Sequence, residues 1–262
     1  MTMLEYLKEL LIAPRANCMG CGNVKGCERD WLCADCYARL APLYMRNAAR
    51  AEICAECGET YTGGVCGVCG RRKPETFVAA APYEYDDVIR AMVREFKFHG
   101  VWRMSPWMAD EMRRALDNAG IRDFTLITPV PLHFTRRFER GYNQSEKLAL
   151  ELSALTGVRC ENVLRRMRAT RRQALLSAAE RRENLKDVFM ALRPLDGETV
   201  LLVDDVRTTG TTCVRCAHAL KEAGAQNVRI VTFACAVGYT SAFRKYRPDR
   251  GTKLQKIEKD PF

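Results

Sequence analysis

Nowhere in its 262 residues does the chain carry an apolar run near the ~20 residues that a membrane-spanning helix requires. Its opening stretch, MTMLEYLKELL, also lacks the unbroken apolar core of a secretory signal, because Glu5, Lys8 and Glu9 interrupt it. Leu4, Leu7 and Leu11 share one helical face instead, which predicts a short amphipathic helix over 1–16. With no signal, the expected location is the cytoplasm. Acidic residues are under-supplied: 32 Asp and Glu against 42 Lys and Arg leave a net charge of +10. That excess points to an anionic partner such as phosphate or nucleic acid, and says nothing of fold. The shortage is sharpest between Arg165 and Arg182, where seven arginines meet one acid, Glu180. Such a run is either a solvated face or an anion track.

Cysteine is abundant but unevenly spread. Nine of thirteen precede residue 70 and, apart from Cys27, form the pairs Cys18/Cys21, Cys33/Cys36, Cys54/Cys57 and Cys66/Cys69, each with two residues between. Zinc takes four thiolates in a tetrahedron, and each C-x-x-C turn supplies two from one knuckle. Glycine follows Cys21, Cys57 and Cys69, where a knuckle needs unusual backbone angles. A reducing cytosol argues against disulfides. The simplest assignment is one zinc on Cys18, Cys21, Cys33 and Cys36 and a second on Cys54, Cys57, Cys66 and Cys69. An interleaved pairing satisfies the spacing equally. Four thiolates leave no open position, so the sites read as structural. Cys213 and Cys216 form a fifth such pair, but with Ala217 and Leu220 they complete an apolar stripe, which predicts helix core rather than redox chemistry.

Beyond residue 75, strand and helix patterns alternate. TFVAAAPYEY, FTLITPVPL, ETVLLVDD and NVRIVTFACAV read as strands. Helices are predicted from Asp86 (Ile89, Met92, Val93 and Phe96 inward), over Trp102–Asn118 with Gly120 as the stop, from Asn143 (Leu148, Leu152 and Leu155 inward) to Gly157, and from near Thr211. The alternation predicts an α/β fold with a mainly parallel, doubly wound sheet and a small N-terminal zinc-ribbon module. The divisions are 1–16, a double zinc ribbon over 17–72, an α/β domain over 76–238, and a charged, loosely ordered tail over 239–262.

The stretch VLLVDDVRTTGTT concentrates the chemistry. Val200–Val203 predict a strand, placing Asp204 and Asp205 at the carboxyl edge, where open α/β sheets bind ligands. The loop Arg207–Gly210 then enters a helix whose free N–H groups favour a phosphate. Gly210 admits close backbone approach, and Thr208, Thr209, Thr211 and Thr212 offer hydroxyl donors. Two adjacent carboxylates suit ribose hydroxyls and Mg2+. A sugar phosphate satisfies both halves.

That stretch closely resembles the phosphoribosyl pyrophosphate (PRPP) motif of type I phosphoribosyltransferases. Taken with the four cysteine pairs, FKFHG, PVPLHFTRRFERGYNQS and RATRRQALLSAAERRENLKDVF, the chain from about Leu10 to Val237 resembles the ComF family: a double zinc ribbon followed by a phosphoribosyltransferase domain. The PRPP motif alone is shared by many salvage enzymes; its combination with RGYNQS and the zinc pairs is specific. The resemblance implies that Asp204 and Asp205 bind the ribose hydroxyls and carry any catalysis. It implies that Val206, Arg207, Thr208, Thr209, Gly210, Thr211 and Thr212 complete the PRPP site, with Mg2+. Lys97, Arg137, Arg140, Asn143, Gln173 and Arg182 are the implied pyrophosphate and hood residues. The implied role is DNA uptake in natural transformation, with single-stranded DNA and a competence helicase as partners. Two other readings compete: a nucleobase phosphoribosyltransferase of salvage metabolism, and a non-catalytic module that senses PRPP. Thr208 stands where purine-salvage relatives carry an acidic general base, which argues against that reaction; orotate-type relatives also carry threonine there.

Overall fold

A computed structural model describes residues 18–22, 31–40, 42–98, 101–132, 141–167 and 188–236. The helix expected over 1–16, Cys27, Arg137, Arg140, Gln173, Arg182 and the tail from 239 lie outside the described residues.

In chain order, a short helix α1 (Ala34–Ala38) and a 3-10 turn (Leu43–Arg46) precede β1 (Arg50–Cys54), β2 (Thr76–Ala80) and β3 (Tyr83–Glu84). Next come α2 (Asp87–Phe98), α3 (Ser105–Asn118), β4 (Leu126–Pro129) and α4 (Gln144–Thr156). A two-stranded ribbon of β5 (Leu164–Arg166) and β6 (Phe189–Ala191) follows, then β7 (Thr199–Arg207), α5 (Thr211–Glu222) and β8 (Asn227–Cys235).

The main sheet has the order β1-β2-β8-β7-β4, with β3 also paired to β8. All its pairings are parallel except β1 with β2. Alternation along β7 explains the layers. Leu201 and Val203 face one core with Ile89, Met92, Phe96, Met108, Met112, Leu148 and Leu152 of α2, α3 and α4. Val200 and Leu202 face the other with Cys213, Cys216, Ala217 and Leu220 of α5. Buried on both sides, the strand must be apolar throughout, as parallel strands under helices are. The expected Cys213/Cys216 stripe is core, both residues at or below 1 % exposed. Among the described residues, no helix is long and apolar enough to cross a membrane.

Three details differ from the sequence reading. TFVAAAPYEY makes two strands, not one, because Ala81 and Pro82 break the ladder before Tyr83 resumes it on β8. Leu155 is 45 % exposed rather than inward. It lies in the last turn of α4, and the buried stripe runs instead through Gln144, Ser145, Leu148, Ala149 and Leu152. Finally, β7 continues past Val203 to Arg207, so both acids belong to the strand. Its neighbour β4 stops at Pro129, opposite Val203, and Asp204–Arg207 extend beyond it with a sheet partner only in β8.

Candidate functional site

Asp204 and Asp205 are neighbours on β7, and each has its own partner. Asp205 is buried, and its Oδ1 lies 2.8 Å from Lys97 Nζ, near the end of α2. Asp204 Oδ1 accepts from Ser145 Oγ at 2.8 Å and from the Asp205 N–H at 2.9 Å. Burial, then the adjacent Asp205 charge, push the Asp204 carboxyl up to about 7, against the opposing pull of Lys97 and Ser145. The pair therefore holds less than two full negative charges near neutrality.

The segment Gly141–Ser145 positions these partners. Gly141 sits at φ +76°, a left-handed turn that releases the chain into α4. The Tyr142 hydroxyl donates to the Phe96 carbonyl, and Gln144 Nε2 to the Lys97 carbonyl at 3.4 Å, tying down the end of α2. Asn143 caps α4, its Oδ1 accepting from Ser145 N at 3.2 Å while its Nδ2 donates to the Val130 carbonyl at 3.1 Å. Its amide is thus engaged by backbone at both ends. Ser145, Tyr142 and Gln144 were not singled out individually by the sequence; the signal was the motif GYNQS as a block.

The loop after β7 has the form that the sequence reading anticipates. Gly210, at φ +71°, precedes Thr211 at the first position of α5. Thr208, Thr209 and Thr212 are exposed, and Thr209 Oγ1 lies 3.1 Å from Thr211 Oγ1. Threonine hydroxyls therefore stand at the start of α5, a few residues after the acids. Arg207 goes elsewhere: its side chain is buried, and Nη1 donates to Thr60 Oγ1 at 3.4 Å. Val206 packs against the α2–α4 core. Burial pushes the Cys213 and Cys216 thiols well up, which keeps them neutral and unreactive.

The eight paired N-terminal cysteines converge as two groups of four, in sequence order rather than interleaved: Cys18, Cys21, Cys33 and Cys36, and Cys54, Cys57, Cys66 and Cys69. Within each group all sulfurs lie within 4.8 Å of one another, and the Cys21–Cys33, Cys54–Cys69 and Cys57–Cys66 pairs are 3.6–3.8 Å apart. A tetrahedron with Zn–S bonds of ~2.3 Å has edges of about 3.8 Å, so both groups could hold zinc. Burial raises the Cys18 thiol, yet N–H donors from Cys33, Cys21 and Gly20 outweigh it and bring it down to about 6. Gly22, Gly58 and Gly70 all adopt left-handed angles after their cysteines.

Comparison with known proteins agrees with this geometry. A family model described as the phosphoribosyl transferase domain matches residues 100–261. Competence protein F of Haemophilus influenzae is 26% identical over 223 residues, spanning 81% of this chain and 94% of its own length. DNA utilization protein YhgH of Escherichia coli O6:H1 is 31% identical over 193 residues, 70% of this chain and 85% of that protein. Competence protein ComFC of Streptococcus pneumoniae is 26% identical over 204 residues, 76% and 84% respectively. The likeness to competence protein F thus takes in more of the chain than the transferase domain alone. The chain belongs to the ComF family of phosphoribosyl transferase domain proteins.

Proposed function

We propose that the chain binds Mg·PRPP at Asp204–Thr212 and serves DNA uptake by holding single-stranded DNA in the cytoplasm. The observation that carries the ligand is the acid pair on the free end of β7, running directly into the N-terminus of α5. Asp204 and Asp205 would accept hydrogen bonds from the ribose hydroxyls and help hold Mg2+, which would offset the phosphate charge and needs few protein carboxylates. Gly210 and the threonines hold the 5′-phosphate. Lys97, whose Nζ lies beside Asp205, would supply the cation for the pyrophosphate. Zinc on each group of four cysteines fixes the N-terminal module. The DNA role rests on the relatives' names, competence protein F and DNA utilization protein, together with the net charge of +10. Lys and Arg contacts to phosphates would supply the affinity. A competence helicase is the partner that would hand over or receive the strand.

Calorimetric titration with PRPP, with Mg2+ and then with a chelator, tests the ligand. Saturable binding that disappears on chelation supports the reading; no binding with Mg2+ present removes it.

A further inference from the structure

The second cysteine knuckle and the phosphate loop meet backbone to backbone. Cys54 ends β1, and its carbonyl accepts the Gly58 N–H at 2.8 Å, closing the knuckle Cys54–Gly58. The backbone of Gly58 then lies directly on that of Gly210. A β-carbon built on Gly58 would stand 2.7 Å from Gly210 Cα, and one built on Gly210 would stand 2.9 Å from Gly58 Cα. Real carbons do not approach backbone so closely, so both positions admit glycine alone. Two further interactions bracket this one. Before the loop, Arg207 reaches Thr60. Two turns into α5, the His218 Nε2–H donates to the Ala55 carbonyl at 2.8 Å, and its ring meets Phe77 edge-on at 5.6 Å. Ala55, Gly58 and Thr60 lie in or directly after the knuckle that Cys54 and Cys57 define.

We propose that Gly58 is a positioning residue for the phosphate loop: the second zinc knuckle, through its backbone, sets where Gly210 and the neighbouring threonines stand. The inference rests on reading Thr208–Thr212 as the phosphate loop. Its physical basis is the absence of side chains where the two segments touch. Two glycines in van der Waals contact leave no rotamer to absorb a shift, so movement of the knuckle moves the N-cap of α5 directly. A metal held by the second group, by fixing Cys54 and Cys57, would fix Gly58. The amino-terminal module is thereby part of the ligand site without touching the ligand. Loss of metal from the second group should loosen the loop, while loss from the first should not.

A matched pair of variants tests this. Gly58 and Gly70 each follow the second cysteine of a knuckle in the same group of four, at φ +82° and +72°. Alanine brings the same left-handed strain to both, but a β-carbon on Gly70 has nothing within 4 Å. Zinc content, amide exchange over Thr208–Cys213 and Mg·PRPP affinity are measured for wild type, Gly58→Ala and Gly70→Ala. Expected is full zinc in both variants, with faster exchange and roughly ten- to hundredfold weaker binding in Gly58→Ala only. Unchanged exchange in a zinc-replete Gly58→Ala overturns the inference. Wild type that binds no PRPP removes the functional reading instead, and exchange still decides the positioning role. Should Gly58→Ala fail to fold, Thr60→Val removes only the hydroxyl facing Arg207. It should raise loop exchange in smaller measure, and no rise overturns the proposal.

Discussion

Two adjacent carboxylates are tolerable here because each has a different partner. Lys97 neutralises Asp205, and burial beside that acid holds Asp204 partly protonated near pH 7. The sign of the pH dependence follows. An acid raised above its ordinary value binds more protons when folded, so its contribution to stability falls as pH rises from about 4 to 7. Mg2+ and ribose need the ionised form, so affinity moves the other way. In wild type, Mg·PRPP affinity should rise through pH 7, and the stability advantage of Asp204→Asn over wild type should grow across pH 4–7. Chemical denaturation of both proteins over that range checks the second point; a constant difference would mean that Asp204 titrates normally. The acids themselves were legible in the sequence, as two adjacent carboxylates closing an apolar run. Their partners were not. Ser145 lies 59 residues from Asp204, and nothing local in GYNQS says which helix face meets β7.

At the scale of elements, periodicity found what it could find. Helix starts at Asp86 and Asn143 are caps in the structure: Asp86 Oδ1 accepts from Ile89 N at 2.9 Å, and Asn143 from Ser145 N. The Cys213–Leu220 stripe was readable because i, i+3, i+4, i+7 spacing depends on sequence alone. The pairing of β1 with β2 was not readable. Cysteine spacing fixes a knuckle but carries no information about where the strand before it pairs, and Arg50–Cys54 becomes the edge of the main sheet. Asn143 shows how an element's cap can double as scaffolding for a site. Asn143→Ala removes the cap and strands the buried Val130 carbonyl, which should cost about 1–2 kcal/mol of stability. Urea unfolding measures it, and a loss under a few tenths would show that α4 is held by packing alone. Because Ser145 and Gln144 begin the same helix, the variant should also weaken the hold on Asp204 and on the end of α2.

For the whole molecule, charge and cysteine content divide the chain's partners. The eight paired cysteines account for the N-terminal module. Spacing made grouping in chain order the simplest of several arrangements, and the structure brings the sulfurs together that way. The excess of 42 basic over 32 acidic residues asks for a polyanion, and the run Arg165–Arg182 is where it is most concentrated. Residues 168–187 lie outside the described structure, so the prediction there is one of charge alone. Changing Arg168, Arg171 and Arg172 together to Gln should lower affinity for single-stranded DNA. The slope of log K against log salt should shrink by about 0.7 for each phosphate that is no longer neutralised. An unchanged slope would assign the run to a solvated face. PRPP binding should suffer less, since the loop after β7 is untouched.

The most direct test of the central claim is calorimetry of Mg·PRPP with wild type and with Asp204→Ala/Asp205→Ala. Both proteins are first shown folded and equally loaded with zinc. Hydrogen bonds from ligand hydroxyls to two charged carboxylates, with the shared metal, amount to several kcal/mol. Wild type should therefore bind saturably, and the double variant at least about a hundredfold more weakly. Equal affinity in the two proteins would contradict the account.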